Sequence, residues 1–189
     1  RDVYYIGNQE MARVRKGEIT FYNLDGDEIE KELKTVEWDA EAAEKAGYEH
    51  FMIKEIHEQP KAVSDTLNSV VKDGAIDLSE VGLSEEEIKE ISQIYIVACG
   101  SAYHVGVAAQ YVMEDLARIP VRVELASEFR YRNPILDPKG LVIIISQSGE
   151  TADSLAALRE SKKQGVKTLG IVNVIGSSIA READNVFYT

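Results

Sequence analysis

LVIIISQSGETADSLAALRESKKQG, residues 141–165, decides the fold class. Its first five residues are large and aliphatic with no polar alternation. A strand of that kind needs cover on both faces, which a parallel sheet with helices on each side provides. The apolar run stops at Ser146, Gln147, Ser148, Gly149, Glu150 and Thr151, a helical pattern follows at once, and Gly165 ends it. The same texture extends in both directions. IYIVACG, PVRVELASE, KTLGIVNV and NVFYT read as further strands, and SAYHVGVAAQYVMEDLARI and SSIAREA as helices between them. PVRVELASE alternates, with Val121, Val123 and Leu125 on one face. Strands alternating with helices, joined by right-handed crossovers, predict an α/β fold with a doubly wound, flavodoxin-like, five-stranded parallel sheet.

Upstream the texture changes twice. Residues 1–36 read as short strands: VYYIG and EITFYNL are rich in β-branched and aromatic residues, and LDGDE supplies an Asp-Gly turn. Two or three strands make a poor domain alone, so this zone is expected to belong to a larger sheet, and the chain, which opens on Arg1, to a longer protein. Residues 37–93 read as linker and helices, beginning with an acidic stretch broken at Gly47. Pro60 is expected to divide the segment around FMIKEIHEQPKAVSDTLNSVV into two helices. Ser84 with Glu87 three residues on is a capping-box signature for another short helix.

The 189 residues carry a formal net charge of -12. That field repels phosphate backbones and argues against a nucleic-acid partner. It leaves room for a small anion held by backbone N–H groups at a helix N-terminus. The single cysteine excludes an internal disulfide and fits a reducing compartment. No apolar run approaches the ~20 residues of a membrane span, and no secretory pattern opens the chain.

Two strand ends look alike: IYIVACGSAYHVG and LVIIISQSGETADS each pass from apolar strand through small or hydroxyl residues into a helix. Ligands of doubly wound sheets sit beyond the carboxyl ends of the strands, near the reversal of strand order. If these two strands are neighbours there, both turns face one crevice, and the helices behind them favour negative charge. The same residue types also make ordinary N-caps, and both readings stand at this point. A nucleophilic serine fits less well, because neither turn supplies Gly-x-Ser-x-Gly. Gly100 and Gly106 do not make a dinucleotide fingerprint, Glu124 and Glu128 read as solvent-facing charges, and no Walker loop is present. Cys99 reads as a small buried hydrophobe. His50, His57 and His104 show no metal-ligand spacing, and NLDGDEIEKEL is a hairpin turn and not a calcium loop. Arg130 and Arg132 in ASEFRYRNP read as structural or interface residues.

ACGSAYHVG, ELASEFRYRNP and SQSGETADSLAALR, in that order and spacing, resemble the first SIS (sugar isomerase) domain of the glucosamine-6-phosphate synthases, the isomerizing glutamine–fructose-6-phosphate aminotransferases. The resemblance covers essentially the whole chain. It implies that residues 1–36 are the last strands of a glutaminase domain, 37–93 an interdomain segment, and 94–189 a first SIS domain lacking its C-terminal part. It implies a sugar phosphate such as fructose 6-phosphate, held by Ser146, Gln147, Ser148 and Thr151 and by the turn at Ser101 and Ala102. Where that family usually has Cys-Gly-Thr, often followed by Ser, this chain has Cys99-Gly100-Ser101-Ala102, so position 102 offers only its backbone N–H. The resemblance further implies a homodimer, a cytoplasmic location and no cofactor. The family's nucleophilic cysteine, acid/base groups and Schiff-base lysine match nothing here, so no catalytic residue is assigned and the chain alone is expected to be inactive. The alternatives are a sugar-phosphate-sensing SIS regulator, which needs an output domain, and a stand-alone sugar-phosphate isomerase, which needs a Glu/His pair.

Overall fold

The computed structural model describes residues 2–35 and 44–189, so the acidic stretch 37–43 lies outside the described residues. The chain divides into two units, Arg1–His57 and Glu58–Thr189. In the first, β1 (Asp2–Val3) pairs antiparallel with β5 (Lys34–Thr35). Three more strands, β2 (Met11–Arg15), β3 (Glu18–Tyr22) and β4 (Glu28–Ile29), form an antiparallel meander. The Asp-Gly turn between β3 and β4 forms as expected, with Gly26 N–H donating to the Asn23 carbonyl at 3.2 Å.

Next comes α1 (Phe51–Val70), one helix with Pro60 inside it, which corrects the expected division. Proline's fixed φ is itself helical, so the helix continues through Pro60 at the cost of one N–H bond and of crowding between the ring and the carbonyl four residues back. A two-stranded hairpin follows, β6 (Val71–Lys72) and β7 (Ala75–Ile76), turning on Asp73-Gly74, both at positive φ. After a 3-10 turn (Ser79–Val81) comes α2 (Glu85–Glu90), which carries the predicted capping box in full.

The remainder alternates: β8 (Gln93–Ala98), α3 (Gly100–Ala117), β9 (Val121–Leu125), α4 (Ala126–Phe129), β10 (Gly140–Ser146), α5 (Ala152–Lys163), β11 (Lys167–Val172), α6 (Ser178–Glu182) and β12 (Asn185–Tyr188). The five strands form one sheet in the order β12-β11-β10-β8-β9, all parallel. The doubly wound prediction is met, and strand order reverses between β8 and β10. The short α4, directly after β9, is not among the expected elements.

The unbroken apolar runs are explained by two cores. Tyr95 and Val97 of β8, with Val142 and Ile144 of β10, pack under α4, α5 and α6, around Phe129, Leu158 and Ile179. Their neighbours Ile94, Ile96, Leu141 and Ile143 point the other way, to the face that carries α3 and the segment around Val81 and Leu83. A period of two with both faces covered favours apolar residues at every position of β8 and β10 between their ends. Gly106 of α3 belongs to this packing: a Cβ there would lie 2.8 Å from Ile96 Cγ2 and 3.0 Å from Val123 Cγ1. Among the described residues, no helix is long and apolar enough to cross a membrane.

Candidate functional site

The reversal of strand order brings the two similar turns together. β8 and β10 are hydrogen-bonded neighbours, with Ala98 opposite Ile145, so Cys99 and Ser146 leave the sheet side by side. Each turn runs at once into a helix, α3 from Cys99 and α5 from Thr151. Neither helix has a side-chain cap. The first N–H groups of a helix have no acceptor within it, so both helices start with donors and partial positive charge at the same end of the sheet.

Within the second turn the hydroxyls divide by role. Ser146 is buried; its Oγ lies 2.9 Å from Thr151 Oγ1 and accepts the Gly149 N–H at 3.1 Å. It holds the turn in shape. Ser148 is exposed, its Oγ accepting the Glu150 N–H at 3.2 Å. Gln147 is also exposed and Thr151 half-buried. In the first turn Ser101 is exposed, and Ala102 and Cys99 are half-buried. Cys99 packs against the core under α5, close to its reading as a small hydrophobe.

Several groups that hold the turn escape a reading of the sequence. The loop after β11 and the start of α6 clasp it: Asn173 N–H donates to the Gln147 carbonyl (3.2 Å), Ile179 N–H to the Gly149 carbonyl (3.0 Å), and Ser178 N–H to Glu150 Oε1 (2.7 Å). Gly149 has φ +65°, and a Cβ on it would lie 2.0 Å from Ser177 Oγ. Among the described residues, the Ser177 hydroxyl is buried without a hydrogen-bond partner, as is that of Ser154 in the first turn of α5. Only the Gly after a Ser-x-Ser run hints at this contact in the sequence.

The two arginines that follow β9 are each paired with a carboxylate. Arg130 Nη1 donates to Asp153 Oδ1 at 2.7 Å. Arg132 holds both carboxylate oxygens of Glu124, its Nε at 2.7 Å from Oε2. The structural reading of the two arginines is met, but Glu124 is partly buried against Arg132 and not a solvent-facing charge. A separate hollow of about 710 Å³ lies around Ile76, Leu83 and Ile88 and shares no residue with the two turns. Asp77, Glu85 and Glu87 on its wall repel an anion, so the strand-end crevice is the better candidate.

The model of the SIS domain matches residues 87–189, more than half of the chain. The chain belongs to the SIS domain family. Over its full length it is 54% identical to the glutamine–fructose-6-phosphate aminotransferase (isomerizing) of Clostridium acetobutylicum, of which it spans 31%. Identity, coverage and name are the same for the protein of Caldanaerobacter subterraneus subsp. tengcongensis. Among solved structures, the C-terminal domain of glucosamine-fructose-6-phosphate aminotransferase from Francisella tularensis matches with a TM-score of 0.72 at 47% identity, over 77% of this chain and 41% of that one. The SIS chain thus spans about a third of the length of the curated relatives it matches, and the family resemblance read from the motifs is met.

Proposed function

We propose that this chain is the sugar-phosphate-holding part of an isomerizing glutamine–fructose-6-phosphate aminotransferase. One observation carries the reading: β8 and β10, side by side at the strand-order reversal, both end in turns whose helices lack side-chain caps. Two helix N-termini aimed at one crevice form a cradle for a dianion without Lys or Arg. Ser101, Gln147, Ser148 and Thr151 add side-chain donors, Ala102 adds backbone only, and Ser146 keeps the turn in shape. The names of the full-length relatives favour an aminotransferase over a sugar-phosphate sensor.

In the whole reaction, fructose 6-phosphate and glutamine give glucosamine 6-phosphate and glutamate. The part played here is positioning. Fixed dipoles grip the phosphate, which does not change, while the sugar's reacting end is presented to groups outside these residues. A homodimer, a cytoplasmic location and the assignment of residues 1–36 to a glutaminase domain belong to the same proposal, supported by the similarity to those relatives. Calorimetry of the chain with fructose 6-phosphate and with fructose tests it. The phosphate ester is expected to bind and the neutral sugar to bind far more weakly; equal affinity would sink the phosphate cradle.

A further inference from the structure

Two carboxylates flank the hydroxyl turn, in the first turn of α5 and just before it, and each is held by a neighbouring strand-end element. Glu150 accepts from the Ser178 N–H. Asp153 accepts from Arg130, at the C-terminal end of α4. Because α4 follows β9 directly, Arg130 reaches α5 across the same end of the sheet that carries the crevice. A carboxylate in the first turn of a helix complements the positive end of its dipole. At Asp153 it therefore competes, in charge, with any anion bound at the start of α5. The guanidinium cancels that charge where it stands.

We propose that Arg130 is a positioning residue that sets the affinity of the crevice for a dianion by neutralising Asp153, without itself touching the ligand. The proposal rests on the phosphate reading above. Both side chains keep about a third of their surface, 31% for Arg130 and 37% for Asp153, so water and salt screen the pair. The expected effects are accordingly modest, roughly two- to fivefold in affinity at low ionic strength.

The experiment compares fructose 6-phosphate binding to the 189-residue chain, Arg130→Gln, Asp153→Asn and the double variant by calorimetry, at low and at high salt. Arg130→Gln leaves an uncompensated carboxylate and is expected to weaken binding. Asp153→Asn leaves an uncompensated guanidinium and is expected to strengthen it. The double variant returns close to the parent, and the differences shrink with salt. A purely structural clamp loses the same bond in either single variant, so weakening in both overturns the proposal, as does equal binding by all four. If Arg130→Gln unfolds the chain, the direction of Asp153→Asn alone decides. If the unsubstituted chain does not prefer fructose 6-phosphate to fructose, the phosphate reading falls and this inference with it. A preference that survives while both single variants weaken removes the inference alone.

Discussion

Ser84 and Thr151 occupy the same place in the sequence grammar, a hydroxyl residue directly before a helix, and the structure uses them in opposite ways. Ser84 Oγ accepts the Glu87 N–H at 3.2 Å while Glu87 Oε2 accepts the Ser84 N–H at 2.9 Å. The start of α2 is thereby satisfied from within its own four residues. Thr151 turns its hydroxyl back to Ser146 instead and leaves α5 uncapped. Three residues on, where α2 has Glu87, α5 has the buried and unpartnered Ser154. A hydroxyl before a helix therefore does not by itself say cap or ligand site. What separates the two is where the hydroxyl turns, and that is decided by the shape of the preceding turn.

That shape is local at Ser84 and imposed from outside at Thr151, and the widest gap between the two is expected on substituting Gly149. Its φ of +65° and the 2.0 Å that would separate an added Cβ from Ser177 Oγ combine backbone strain with a clash in a buried place. Gly149→Ala is expected to cost about 3 kcal/mol in chemical denaturation. A loss below about 1 kcal/mol would show that the β11–α6 loop gives way and that the turn is not rigidly held. The next effect separates ligand from cap. Ser148→Ala removes an exposed hydroxyl with one weak local bond, so stability should move by less than about 0.5 kcal/mol. Affinity for fructose 6-phosphate should fall on the order of tenfold, the worth of a hydrogen bond to a charged group. A variant that binds as before removes Ser148 from the cradle.

The sequence displays the sheet almost completely, because strands covered on both faces are written as short aliphatic runs, and their length and the small or hydroxyl residues that end them separate them from buried helices. It displays the Ser84 capping box because that device is complete within four residues. It also places both crevice turns. What it hides is long-range: the clasp on Gly149 from Ser177 and the Arg130–Asp153 pair join residues well separated in the chain. Two local signals mislead. Pro60 reads as a divider although its φ suits a helix, and Asp73-Gly74, a hairpin signal, is masked by the long helical pattern before it.

Ser84→Ala supplies the counterpart to Ser148→Ala. Losing the cap is expected to cost about 1 kcal/mol of stability, read by denaturation, with fructose 6-phosphate affinity unchanged. A change in affinity would mean that the two helix starts are not independent.

The smallest effect concerns the other half of the capping box. Hydrogen bonding to Lys167, and then to the Ser84 backbone N–H, lowers the Glu87 carboxyl from its ordinary 4.5 to about 2. Because the folded value lies below the unfolded one, the unfolded chain takes up the proton first. The contribution of Glu87 is therefore fully present above pH 4.5 and is lost as pH falls from 4.5 towards 2. Solvent exposure keeps it small. Across that window the melting temperature of the parent should fall more steeply than that of Glu87→Gln, in which the group cannot titrate. Ser84→Ala should keep most of the parent's slope, since it leaves in place both Lys167, the largest cause of the shift, and the Ser84 backbone N–H. If Ser84→Ala flattens the profile as much as Glu87→Gln does, the Ser84 hydroxyl is what keeps the carboxylate in reach of both the lysine and the backbone N–H, and the Ser84 turn is more self-contained than its hydrogen bonds suggest.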